Sequence, residues 1–212
     1  MAATQIAQIP TAPGGFSLPG TVVHATAGTE IFAEGSKPDS FFKMLCGVGR
    51  VSRILTDGRR QIQDFPAAGD IFGLDTDGAR QTAAEAVSDC TLLAYRRPSV
   101  EALARLDGKA GRLLFNFAMQ ELSRAQAHGL LLGRRAAAEK MAGFLLILAR
   151  RSADGHGVTL AMTRQDIADH LALTIETVSR TLSQFERDGL IALVSTRDLR
   201  LRNPAALEAL TA

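Results

Sequence analysis

Thr163 to Gly189 reads TRQDIADHLALTIETVSRTLSQFERDG, and this stretch decides the fold. It predicts two short helices joined by a tight turn. Thr163 is a good N-cap, because its hydroxyl can take a free backbone N–H of the first turn. Ile167 and Leu171 are four residues apart and share a face. Ala172, Leu173 and Thr174 are too few for anything but a turn, and Thr174 can cap the next helix. There Val178, Leu182 and Phe185 follow an i, i+4, i+7 pattern and face inward. At 100° per residue Glu176, Arg180, Ser183 and Arg187 fall on the opposite face. Two helices with one buried and one polar face are the layout of a helix-turn-helix whose second helix enters the DNA major groove.

On spacing alone, the Glu176 and Arg180 pair suits any solvated helix. The residues after that helix shift the balance. Gly189 can end the helix in a left-handed conformation. IALVSTRDLRLRN then predicts a β-hairpin: Leu190 to Val194, a turn near Ser195 to Asp198, and a return through Leu199 and Leu201. Arg200 and Arg202 alternate outward, with Arg197 at the tip. A hairpin behind the second helix is a wing, and its arginines are placed for phosphates. The alternative reading of these arginines is as charges that protect an exposed edge strand.

The stretch LTIETVSRTLSQFERDGLI resembles the recognition helix and wing entry of the CRP/FNR superfamily of bacterial transcription regulators. The Glu-x-x-Ser-Arg arrangement at Glu176, Ser179 and Arg180 resembles the FNR and FixK branch. The CRP branch carries Arg-Glu-x-x-Gly-Arg, where this chain has Ile175 and Ser179 in place of the first Arg and the Gly. The resemblance covers nearly the whole chain. It implies a β-roll sensor domain, a homodimer, double-stranded DNA and RNA polymerase as partners, and a transcriptional effect that is most often activation.

Composition sets outer bounds. The 212 residues suffice for one or two domains with ample core. No run of 18 apolar residues occurs, so no membrane span is expected. The opening MAATQIAQIPTAPGGFSLPG lacks a basic region followed by an apolar one and reads as a flexible lead, not a signal peptide. Cys46 and Cys90 are too few for a disulfide framework or a zinc site, and a reducing cytoplasm fits. The net charge of +2 is compatible with DNA binding but would not suggest it. The case rests on where the charges stand.

From Val22 to Arg97 short apolar segments alternate with glycine. Strands are expected at Val22–Thr26, Ser40–Leu45, Val48–Leu55, Gln61–Phe65 and Thr91–Tyr95, with turns at Ala27-Gly28, Glu34-Gly35, Asp57-Gly58, Ala68-Gly69 and Asp77-Gly78. This spacing predicts a roll or barrel. The four histidines, His24, His128, His156 and His170, are scattered and give no metal-ligand spacing. No nucleophile elbow, phosphate loop or paired-carboxylate pattern occurs, so no enzyme is expected.

Pro98 opens a short helix, and Gly108 and Gly111 are expected to loosen the next junction. A long helix comes next, over Arg112 to Leu132. Phe115, Ala118, Leu122, Ala125, Gly129 and Leu132 run at alternating spacings of 3 and 4, a heptad stripe. Leu113, Leu114, Phe117 and Leu131 flank it. One set can bury on the chain's own domain and the other on a partner helix; the pattern leaves open which. We expect a parallel dimer helix, because a two-fold operator needs a two-fold protein. Gly133 is the expected hinge, and Arg134 to Arg151 a further helix. SADGHG reads as a loop and Val158–Ala161 as a short strand.

The expected architecture is therefore α+β: an N-terminal β-roll like a cyclic-nucleotide-binding domain, a long dimerisation helix and a C-terminal winged helix-turn-helix. Residues 1–20 form the lead, 21–111 the roll, 112–133 the dimerisation helix and hinge, and 134–212 the DNA-binding domain. Dimer contacts are expected at Phe115, Ala118, Leu122, Ala125 and Leu132.

Base reading is expected from three side chains. Arg180 can donate two bonds to a guanine, Glu176 can accept from an exocyclic amine, and Ser179 is small enough to approach a base edge. Thr163, Thr177, Ser183, Arg197, Arg200 and Arg202 would hold phosphates. In the resembling family, Glu-x-x-Ser-Arg goes with TTGA-type half-sites in an inverted repeat.

The family's effectors leave no match here. CRP-like members hold a cyclic nucleotide with a Glu in a Gly-Glu-Leu-Gly turn and an Arg-Ser pair. This chain has Gly69-Asp-Ile-Phe-Gly73 and Arg80-Gln81. FNR-like members carry N-terminal cysteines for an iron–sulfur centre, and haem sensors use a His, for which His24 is a poor lone candidate. The resemblance is to the FixK type, with no cofactor and a role in low-oxygen and nitrogen-fixation control. A roll gated by an unrecognised small effector is the competing reading.

Overall fold

The computed structural model describes residues 18–75, 78–152 and 154–211. Residues 1–17 of the expected lead, and Asp77 of the Asp77-Gly78 turn, lie outside them. The chain forms two compact units, Met1–Gln126 and Ala127–Ala212.

Among its described residues the first unit holds eight strands: β1 (Thr21–Ala25), β2 (Glu30–Phe32), β3 (Ser40–Cys46), β4 (Gly49–Ile54), β5 (Arg60–Asp64), β6 (Ile71–Phe72), β7 (Ala83–Ala86) and β8 (Cys90–Arg96). They make two antiparallel sheets, ordered β1-β8-β3-β6 and β2-β7-β4-β5. This is the expected roll. The sequence reading missed β2, β6 and β7. They have two to four residues each, too short to show alternation, and β7 (AAEA) has no β-branched residue.

Successive side chains of a strand point to opposite faces, and β3 uses both. Phe42 and Met44 join Phe32, Phe72, Val51 and Leu92 in one buried cluster. The rings of Phe32 and Phe42 stack at 5.8 Å, and those of Phe42 and Phe72 at 5.7 Å. Phe41 joins a second cluster with Tyr95, Val100, Ala110 and Phe117. Two helices supply the last three: α1 (Arg97–Leu106) and α2 (Gly108–Gly133).

Helix α2 begins earlier than the expected Arg112. Gly108 and Gly111 are helical rather than a loose junction. The Asp107 carboxylate accepts the Lys109 N–H at 2.7 Å, which starts the helix despite two glycines. The helix ends at Gly133. Its two stripes differ in exposure. Phe117 is buried, with Leu113 and Leu114 packed on the same cluster. Phe115 is 64 % exposed and Leu122 47 %. Ala118 and Ala125 are also exposed, while Leu132 is half-buried.

Two polar side chains of α2 bind the roll. Arg124 pairs with Asp64 at 3.0 Å and Asp70 at 3.4 Å, and also donates to the Ile71 carbonyl. Glu121 accepts the Leu74 N–H at 3.3 Å. Burial raises the Glu121 carboxyl pKa, against the lowering charge of Arg124.

The second unit contains α3 (Ala137–Ala149), β9 (Gly157–Thr159), α4 (Arg164–Leu171), α5 (Ile175–Arg187), β10 (Ile191–Leu193), β11 (Asp198–Leu201) and α6 (Pro204–Ala209). Its sheet is ordered β10-β11-β9. The buried side chains include Met141, Leu145, Ile167, Leu171, Val178, Leu182, Phe185, Ile191, Leu199 and Leu207. The sequence reading missed α6, although Asn203 caps it and Pro204 opens it. An Asn-Pro pair is a helix-start signal.

Local geometry bears on stability at two positions. The raised Glu121 pKa favours the protonated acid in the folded state. Its cost is absent below the ordinary carboxylate value and appears as pH rises through the raised one. Glu121→Gln keeps an acceptor for Leu74. It is expected to raise the melting temperature at pH values above the raised pKa, with the gain vanishing as pH falls below the ordinary carboxylate value. A gain independent of pH would contradict this. Ala172 is the only non-glycine with positive φ among the described residues, at φ 52°. This left-handed conformation costs a residue with a Cβ about 1–2 kcal/mol, part of which glycine returns as unfolded-state entropy. Ala172→Gly is therefore expected to raise the melting temperature by about 2–4 °C, read by calorimetry.

Candidate nucleic-acid interface

The helix-turn-helix is set by its caps. Thr163 accepts the Asp166 N–H, and Asp166 accepts the Thr163 N–H in return, a capping box. Helix α4 ends on the left-handed Ala172. Thr174 then caps α5 by accepting the Thr177 N–H at 3.2 Å. The far end of α5 closes with Gly189 at φ 68°. Leu190 N–H donates to Phe185 O and Gly189 N–H to Glu186 O, the pair of bonds of a Schellman motif.

Helix α5 packs on α3 and α4. Val178, Leu182 and Phe185 are buried beneath it. Glu176, Ser179, Arg180, Ser183 and Arg187 are exposed on the other side. The three expected base readers thus share one solvent-facing surface. The Glu176 carboxyl is held below the usual range, first by its own backbone N–H, then by the Thr174 hydroxyl, and last by the charge of Arg180. It is a stable anion ready to accept.

The expected phosphate set does not stand on equal terms. The Thr163 hydroxyl donates to Asp166 at 2.8 Å, so its proton is already used within the capping box. Thr177 is half-buried, with its hydroxyl 3.1 Å from that of Thr174. Ser183 is exposed.

The wing is the hairpin β10–β11, in register Ile191↔Leu201, Ala192↔Arg200 and Leu193↔Leu199. Leu199 and Leu201 are buried while Arg200 and Arg202 are exposed, the alternation the sequence predicts. Its tip is tied by Asp198, which accepts from the Ser195 and Thr159 hydroxyls. Arg197 is exposed beside it. Arg200 pairs with Asp154 at 2.9 Å. The Asp154 carboxyl lies far below the usual range, chiefly through the N–H groups of Gly157 and His156. Such an exposed pair contributes little stability and can exchange for a phosphate.

One residue escaped the sequence reading. Arg164 is the first residue of α4, and its Nη2 reaches the Thr196 carbonyl of the wing tip at 3.4 Å. Its Nη1 is buried without a hydrogen-bond partner among the described residues, and burial lowers the pKa of the guanidinium. A cation at a helix N-terminus opposes the helix dipole. That mismatch was visible in the sequence as Arg directly after the N-cap Thr163.

Residues 139–210 match the family model of the Crp-like helix-turn-helix domain, and residues 22–107 that of the cyclic nucleotide-binding domain. The chain is 44 % identical over 196 residues to the nitrogen fixation regulation protein FixK of Azorhizobium caulinodans, covering 90 % of this chain and 79 % of that one. It is 37 % identical over 198 residues to the FixK protein of Rhizobium meliloti, covering 93 % and 90 %. The solved structure of FixK2 from Bradyrhizobium japonicum superposes with a TM-score of 0.86 at 38 % identity, over 92 % of this chain and 98 % of that one. The protein belongs to the FixK branch of the CRP/FNR superfamily and is a DNA-binding transcription regulator.

Proposed function

We propose that this regulator is a homodimer that binds an inverted repeat of TTGA-type half-sites, with α5 in the major groove of each. The observation that carries the proposal is the outward face of α5, where Glu176, Ser179 and Arg180 stand together above a buried apolar face. Arg180 reads a guanine and Glu176 an exocyclic amine. Arg197, Arg202, Ser183, Thr177 and Arg164 hold phosphates, with Arg200 joining when it leaves Asp154. Thr163 serves mainly as the cap.

The exposed apolar stripe of α2 supports the dimer. Phe115, Ala118, Leu122 and Ala125 form it, Met119 and Leu130 widen it, and Leu132 lies at its end. A contiguous apolar surface of this kind marks a protein contact, and a heptad stripe suits a second copy of the same helix. By its relatives' names the regulon includes nitrogen-fixation genes, and by family resemblance the protein activates in the cytoplasm through RNA polymerase.

We also propose that no cyclic nucleotide gates it. The residues of the roll do not fit one. Arg80 is 2 % exposed and is taken by Asp75, by the Gly73 and Ser40 carbonyls, and by the face of the Phe32 ring at 3.9 Å. The Leu74 N–H, at the turn where the family holds its nucleotide, already donates to Glu121. A phosphate would have to displace two carboxylates.

Two experiments test the proposal. Leu122→Asp should yield monomers in sedimentation and lose most operator affinity; a wild-type protein that stays monomeric on its operator would overturn the dimer. Arg180→Ala should lose about 1–3 kcal/mol per half-site and relax preference at one base pair, whereas Arg202→Ala should weaken all sequences alike and lower the salt slope by about one unit. Binding to single-base operator variants at several salt concentrations reads both. Full wild-type preference in Arg180→Ala would remove α5 from the reading role.

A further inference from the structure

The turn between α4 and α5 sets how the reading helix is presented, and its support comes partly from outside the motif. A helix C-terminus leaves its last carbonyls without partners in the helix. At the end of α4, Ala168 O takes the N–H groups of Ala172 and Leu173. The two carbonyls just before the turn are met by side chains from other helices. His128 Nε2 lies 2.9 Å from His170 O, and Lys140 Nζ donates to Leu171 O at 3.1 Å. A carbonyl only accepts, so His128 carries its proton on Nε2. Lys140 is buried, with its ammonium at the negative end of the helix dipole.

The His128 contact has a second part. Its ring lies parallel to that of buried His170, with centroids 4.1 Å apart and planes 7° apart. Phe144 of α3 meets His170 at 5.4 Å. A directional bond and a flat stack together fix His128 against the last turn of α4. His128 is itself a residue of α2, outside the helix-turn-helix.

We infer that His128 is a positioning residue for DNA recognition: by donating to His170 O it holds the left-handed turn at Ala172, and with it the pitch of α5. This rests on α5 being the reading helix. The side chain contributes no contact to DNA. Its loss lets the turn relax, so that the two half-sites no longer fit both reading helices at once.

Two variants separate the bond from the bulk. His128→Phe keeps a flat ring for the stack and removes the donor. His128→Gln keeps a donor near the place of Nε2 and removes the ring. Two quantities are measured: affinity for a selected operator, and hydrogen exchange of the Leu173 amide in the free protein. His128→Phe is expected to lose roughly tenfold in affinity, the size of one well-placed hydrogen bond. It should quicken exchange at Leu173 while leaving α3 and α6 protected. His128→Gln should restore both towards wild type. Wild-type affinity and exchange in His128→Phe would overturn the inference. So would exchange that quickens alike across α3, α4 and α6, since His128 would then only stabilise the unit. If the wild-type protein selects no operator, the proposed function fails, and exchange at Leu173 alone decides the role of His128.

Discussion

The proposed reading surface depends on the burial of one face of α5. Val178, Leu182 and Phe185 are each at most 3 % exposed. Because a helix turns 100° per residue, fixing these three inward fixes Glu176, Ser179 and Arg180 outward. Burying side chains of this size is worth about 1.5–3 kcal/mol each, far more than the exposed polar pairs on the opposite side. The apolar residues therefore orient the helix and the polar ones are free to serve recognition. The caps at Thr163, Thr174 and Gly189 fix where the helices begin and end, and so how they meet.

The same division holds in the roll. Its interior is filled by the stacked rings of Phe32, Phe42 and Phe72, with the Arg80 guanidinium over Phe32. A buried guanidinium needs partners to offset its desolvation, and Asp75 with two carbonyls supplies them. Glu121 and Arg124 bring the polar side of α2 onto the turn and strands of the roll. Arg80 and the Leu74 N–H are here engaged by groups of the protein itself, the Asp75 and Glu121 side chains and the Gly73 and Ser40 carbonyls. The opposite side of α2 keeps Phe115 and Leu122 in solvent.

Most periodic and capped features were legible in the sequence, the Asn203 cap of α6 and the Asp107 cap of α2 excepted; contacts between distant residues were not. The helix-turn-helix, its caps, the wing alternation and five of the strands come from local pattern. Strands β2, β6 and β7 do not, because their pairing with β7, β3 and β4 comes from tertiary contact rather than from their own residues. The early start of α2 rests on one side-chain cap at Asp107 that the glycines at 108 and 111 obscured. Heptad spacing alone could not choose between the two stripes of α2, whereas the packing of Phe117 on Phe41 and Tyr95 leaves Phe115 outside. Nor could the sequence pair Arg200 with Asp154, or His128 with His170, since those partners are far apart in the chain.

On the proposed function, a two-fold pair of α5 helices reads a specific DNA sequence without a small-molecule effector. The decisive experiment is selection of bound DNA from a random pool by the purified protein with nothing added. The expected result is enrichment of an inverted repeat of TTGA-type half-sites whose centres lie about one helical turn apart. Enrichment of no motif, of a single unrepeated half-site, or of a motif that appears only when a cyclic nucleotide is supplied would contradict it.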